Sequence, residues 1–137
     1  MKNLVILAIF ISLIAFLMTL SVYFYYTNPI SEFSYFSNAF VTRNTEGFDL
    51  NSSAITFGSL PVGGSSTRAI VVNNSYPFAI RVKPNVEGTI SRIIDYEPIT
   101  IQPYESSKLY FTVHAYSIDL IGNYTGNISV KLMRAYG

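Results

Sequence analysis

The sequence predicts an all-β body, a two-sheet sandwich, preceded by one N-terminal transmembrane α-helix. Three observations predict it. Leu4 to Tyr26 contains no charged residue, and about 18 or more such residues in a row mark a spanning helix. From Phe48 onward the chain changes to short apolar–polar alternations punctuated by Gly and Pro, the period of half-buried strands. Cysteine is absent and charged residues make up 12% of the chain, about half the usual share. Without disulfides, an outward-facing body must hold together by its core alone.

Residues 1–26 read as the anchor. At about 1.5 Å per residue the apolar run covers about 35 Å, enough for the hydrocarbon slab with some tilt. A cleaved signal has a core of about 7–15 residues followed by small side chains. Here the run is longer, and Ser21-Val22-Tyr23-Phe24-Tyr25-Tyr26 puts bulky rings where a peptidase needs small ones, so an uncleaved anchor is expected. Lys2 precedes the span and the next basic residue is Arg43. Positive charge is retained in the cytoplasm, which places the N-terminus inside and the C-terminal domain outside the cell membrane. The tyrosines then lie at the outer interface, where amphipathic rings are favoured. Membrane lipid is the first expected partner, through Leu4–Tyr26.

Residues 27–47 read as a stalk. Asn28-Pro29 has the form of a helix start, and Phe33, Phe36 and Phe40 follow at helical spacing, so a short amphipathic helix is expected, with an irregular linker as the alternative. Residues 48–137 form the β domain. Ile55-Thr56-Phe57 is a strand, Gly58 to Gly64 a turn, and Ser66 to Asn73 the next strand. After Ser75-Tyr76-Pro77, Phe78, Ile80 and Val82 alternate with Arg81 and Lys83 until Pro84 stops the run. Thr89 to Ile94 and Ile99 to Ile101 are shorter strands divided by Pro98. Lys108 to Ala115 alternates most clearly, with Leu109, Phe111, Val113 and Ala115 inward and Lys108, Tyr110, Thr112 and His114 outward. Tyr124 to Met133 closes the domain. Each apolar face needs a partner, and two facing sheets with Greek-key crossings satisfy both.

Glycosylation acceptors of the form Asn-x-Ser/Thr occur at Asn51, Asn73, Asn123 and Asn127. One match is common by chance; four in so short a body are more than chance comfortably supplies. Strand parity sets Ile128, Val130 and Leu132 on one face and Asn123 and Asn127, with Ser129 and Lys131, on the other. Asn73 likewise opposes Ile70 and Val72. Glycans at these positions would offset the missing charge.

Catalytic chemistry has little to draw on. The single histidine, His114, falls on an outward strand face, and a triad would have to combine it with Asp49, Asp95 or Asp119 without any Gly-x-Ser-x-Gly support. One histidine and no cysteine do not make a zinc or copper site, and the aspartates lack calcium-loop spacing. Gly58 to Gly64 lacks the Lys and the helix of a phosphate loop. The nine basic residues include Lys2, so the outward part is formally neutral against its eight acidic ones; nucleic acid, which needs a basic stripe, is not an expected partner. The expectation is a protein that is not an enzyme and holds neither cofactor nor metal.

The stretch Ile55-Thr56-Phe57-Gly58-Ser59-Leu60-Pro61-Val62-Gly63-Gly64-Ser65-Ser66-Thr67-Arg68-Ala69-Ile70-Val71-Val72-Asn73-Asn74 resembles the opening of immunoglobulin-like sandwich domains of the hydin and major-sperm-protein type, as found in archaeal membrane-anchored surface proteins. Pro103-Tyr104-Glu105-Ser106-Ser107-Lys108 resembles that family's P-x-E-S turn, and Gly122-Asn123-Tyr124-Thr125-Gly126-Asn127-Ile128 its G-x-Y-x-G-x-I approach to the last strand. The resemblance covers about Phe48 to Lys131, and its motifs specify turns and a core rather than an active site. It implies a single-pass membrane protein presenting an extracytoplasmic immunoglobulin-like module for contact with an envelope, surface-layer or filament protein. The architecture is similar to accessory stator proteins of the archaeal motility filament, while the Gly-Phe processing site of pilin-type precursors is not evident. The alternative is a homo-oligomer, a filament or sheath subunit with its helix buried among copies. A third reading docks the span within a membrane complex through Ser12, Ala15, Thr19 and Ser21.

Overall fold

The computed structural model describes residues 1–43 and 54–135 of the chain. Asn51, with Phe48 and Asp49, lies outside the described residues. The apolar run forms one helix, α1 (Lys2–Thr27), none of whose residues is buried. A helix satisfies its own backbone groups, which is what a chain in hydrocarbon requires, and this one is long and apolar enough to cross a membrane. It stops at Asn28, whose extended backbone (φ −77°, ψ 137°) still donates its N–H to the Phe24 carbonyl. The residue before a proline is disfavoured in the α conformation, so Asn28-Pro29 ends a helix here rather than beginning one.

Among the described residues eight strands follow: β1 (Ser31–Thr42), β2 (Ala54–Pro61), β3 (Ser65–Asn73), β4 (Ile80–Gly88), β5 (Ile94–Tyr96), β6 (Ile99–Ile101), β7 (Ser106–His114) and β8 (Gly122–Arg134). They make a five-stranded sheet in the order β2-β1-β8-β4-β6 and a three-stranded sheet in the order β3-β7-β5. The β1–β2 pairing is parallel and the others are antiparallel. From β2 onward each successive strand changes sheet, so the chain laces the two together.

The expected stalk with an amphipathic helix is corrected by β1. Ser31–Thr42 pairs with β8 along one edge and with β2 along the other. The reason is a second period in the same residues. Phe33, Tyr35, Ser37, Ala39 and Val41 turn inward, with Ser37, Ala39 and Val41 buried. Phe36 and Phe40 point outward and stay half-exposed. Aromatic and β-branched residues favour strands, and Ser and Asn are poor helix formers. The body therefore begins at Ser31 rather than at residue 48.

Three smaller expectations also change. Pro84 does not stop β4, which continues to Gly88. β6 pairs with residues 80–82, so among the described residues β4 has one partnered side at Pro84, where a proline is tolerated. Thr89–Arg92 is a 3₁₀ turn and only Ile94–Tyr96 is strand. Gly58 lies within β2, and the turn falls at Pro61 to Gly64, with Gly63 at φ 87°.

The parity of the last two long strands agrees with the expectation. Leu109, Phe111, Val113 and Ala115 are fully buried while Lys108 and Tyr110 are exposed. Ile128, Val130 and Leu132 of β8 are buried, and they share one core with Ile80 and Val82 of β4 and with the inward residues of β7. Gly126 lets β4 and β8 close up: a Cβ there would sit 2.0 Å from the Glu87 carbonyl oxygen and 2.8 Å from Ile90. Only glycine fits so near an approach of backbone.

Candidate functional site

Three features of the surface stand out: the junction with the helix, the sheet edges and the far tip. At the junction, residues 28–30 are all that separates α1 from β1. The Ile30 N–H donates to the Leu132 carbonyl at 2.7 Å. Arg134, at the end of β8, donates from Nη1 to the Tyr25 carbonyl at 3.0 Å. Its guanidinium lies 3.7 Å from the centre of the Tyr25 ring and 5.3 Å from that of Phe78. The last carbonyls of a helix lack intrahelical partners and carry its negative end, so a cation held there satisfies both needs. Sequence reasoning missed this latch. Its one available signal was an arginine ending an alternating strand.

The sheet edges differ from one another. β5 and β6 are three residues long, and very short edges offer little to pair with. β2 carries a register shift against β1 between Asn38 and Phe40 and ends in Pro61. Across from it, the Arg68 Nε–H donates to the Thr56 carbonyl at 2.9 Å, tying the β3 edge to the β2 edge on that side. β3 itself is regular over nine residues. Its outward residues Ala69 and Val71 stand beside Tyr110 and Lys108 of β7. Val71 and Tyr110 are exposed, and Tyr116, Ile118 and Ile121 are exposed at the tip that follows β7. The Ala115 N–H donates to the Gly64 carbonyl at 3.0 Å, which sets this apolar tip beside the start of β3.

No family model matches this chain, and no curated protein or solved structure matches it.

Asn73, Asn123 and Asn127 are all exposed, on the faces that strand parity assigns them. Asn73 Oδ1 accepts a hydrogen bond from Ser106 Oγ. Asn123 and Asn127 lie on the outer face of the five-stranded sheet, opposite Phe40 and Phe36 of β1. Asn74, the middle residue of the Asn73 acceptor motif, is buried and serves structure. Its Nδ2 donates to the carbonyls of Phe78 (2.8 Å), Gln102 (2.9 Å) and Ile101 (3.2 Å), and its Oδ1 accepts from the Tyr76 N–H (3.0 Å). Two protons shared among three carbonyls join the turn before β4 to the turn before β7.

Of the triad candidates, Asp95 comes to His114, with Nε2 to Oδ2 at 3.3 Å and side chains 43% and 81% exposed for histidine and aspartate. Ser65 is the strand neighbour of His114, yet among the described residues no hydrogen bond joins them. The pair is open to water, the setting in which a charge interaction contributes least. Asp119 sits in a turn, its N–H donating to Ser117 Oγ at 3.3 Å. Among the described residues no group of three His, Asp or Glu side chains is disposed to hold a metal ion.

Proposed function

We propose that this chain is a non-enzymatic, single-pass membrane protein. It presents an extracytoplasmic immunoglobulin-like sandwich, of the hydin and major-sperm-protein type, for protein contact at the cell envelope. One observation carries the reading: α1 is exposed along its whole length while the two sheets complete their core without it. A helix apolar all round has to bury itself elsewhere, and a bilayer supplies that environment. The apolar tip at Tyr116, Ile118 and Ile121 supplies the contact surface, by hydrophobic docking onto a surface-layer or filament protein.

The chain's lack of cysteine gives a clean test of topology. Lys108→Cys should react with a membrane-impermeant maleimide on intact cells; labelling only after lysis refutes the outward orientation. Cross-linking on intact cells should join the tip to an envelope protein, and Ile118→Asp should remove that cross-link. Cross-links confined to other copies of this chain, with material that pellets after detergent extraction, would replace this reading with the filament one.

A further inference from the structure

The outer face of the five-stranded sheet holds two aromatic side chains that the fold leaves unused. Phe36 is 52% and Phe40 47% exposed. Burying a phenyl ring is favourable, and both rings stand on a strand flanked by neighbours on either side. Each faces a particular residue. In the β1–β8 ladder Phe36 is opposite Asn127 and Phe40 is opposite Asn123. All four side chains are exposed on the same face, and directly opposed residues in an antiparallel pair have Cβ atoms about 4.5–5.5 Å apart. Both asparagines head acceptor motifs, Asn123-Tyr124-Thr125 and Asn127-Ile128-Ser129. The two rings and the two acceptors thus repeat at the same four-residue interval. Beside Asn127 the surface dips into a depression of about 350 Å³, whose walls include Phe36, Glu32, Ser34, Glu87 and Ser129.

From this register we infer that Asn123 and Asn127 carry N-linked glycans whose first sugars lie on the rings of Phe40 and Phe36, so that carbohydrate covers this face. The inference rests on the outward topology proposed above. The donor is a lipid-phosphate-linked oligosaccharide. The Asn Nδ2 forms a bond to the anomeric carbon as the bond from that carbon to the phosphate oxygen breaks. The lipid phosphate leaves with the electron pair, and the amide gives up one proton. The apolar C–H face of a sugar ring then meets the phenyl face, while its hydroxyls remain in water. Asn127 lies where β8 has β1 on one side and β4 on the other, so transfer to it precedes closure of the sheet. Asn123 is paired on the β1 side only.

The test uses the full-length protein purified from its native membrane. Glycopeptide mass spectrometry should find sugar on both peptides. Thermal melts should then show Phe36→Ala lowering the midpoint by about 4 °C more in the modified protein than in an Asn127→Gln background; Phe40→Ala and Asn123→Gln should behave alike. The exposed rings make unfolding of these variants unexpected, and contacts between ring and sugar protons in NMR spectra give an independent readout. Unmodified peptides on a body that Lys108→Cys labelling places outside would overturn this inference alone. A body not reachable from outside would overturn both it and the topology. Equal losses with and without sugar, or a second copy cross-linked onto Phe36, would mean that another occupant covers the rings.

Discussion

Replacing Phe111 tests the assignment of faces on which the two-sheet arrangement depends. The side chain is fully buried, and its ring lies 6.0 Å from that of Tyr96, tilted by 47°. An aromatic side chain buries at least about 150 Å², so at about 25 cal/mol per Å² the transfer term is close to ~4 kcal/mol. That agrees with the roughly 3–5 kcal/mol that Phe→Ala costs in cores. Its neighbour Tyr110 is 54% exposed, so the same area argument caps its truncation at about 2 kcal/mol. Surface losses commonly fall well below such a cap. Thermal unfolding of the full chain in detergent, followed by near-ultraviolet circular dichroism, should therefore show Phe111→Ala melting at least about 10 °C lower than wild type. Tyr110→Ala should fall much less. Equal losses would refute the parity of β7 and with it the two-sheet packing.

Asn74→Ala should cost about 2–4 kcal/mol in the same melts, since it strands three carbonyls and one amide; a loss below about 0.5 kcal/mol would show that water replaces the side chain freely. Ser37→Ala should raise stability by about 1 kcal/mol, because its buried Oγ has no hydrogen-bond partner among the described residues and burying an unpaired hydroxyl is costly. A loss on that change would reveal a partner for the hydroxyl. Arg134→Ala should loosen residues 28–30 to limited proteolysis while lowering the melting point of the body only slightly. Stacking of the guanidinium on the Tyr25 ring is worth about 1–2 kcal/mol, and Arg134→Lys should recover only part of it because an ammonium cannot form the planar stack.

Much of the fold is legible because its elements agree with their local patterns. The alternation in residues 108–115 defines an inward and an outward face that the structure reproduces, and the uncharged run defines α1. Residues 31–42 mislead because Phe33, Phe36 and Phe40 fit a helical spacing while Phe33, Tyr35, Ala39 and Val41 fit a strand. Local pattern cannot choose between them; long-range pairing with β8 does. Pro84 misleads for a related reason, since a proline's effect on a strand depends on whether its open side faces a neighbour. The exposure of Asn73, Asn123 and Asn127 follows from parity. The pairing of Asn123 and Asn127 with phenylalanines requires the β1–β8 register, which joins segments about ninety residues apart in sequence. The Arg134 latch depends on a contact across almost the whole chain, and no periodicity announces such a contact.

The brevity of the link between α1 and β1 has a mechanical consequence. A chain on a slack tether sweeps a wide volume and forgets its orientation, whereas here three residues and a guanidinium clasp join a rod to a block. β1, at about 3.3 Å per residue, reaches about 40 Å, which sets how far the tip stands from the end of α1. A sideways load on that tip becomes a torque on α1.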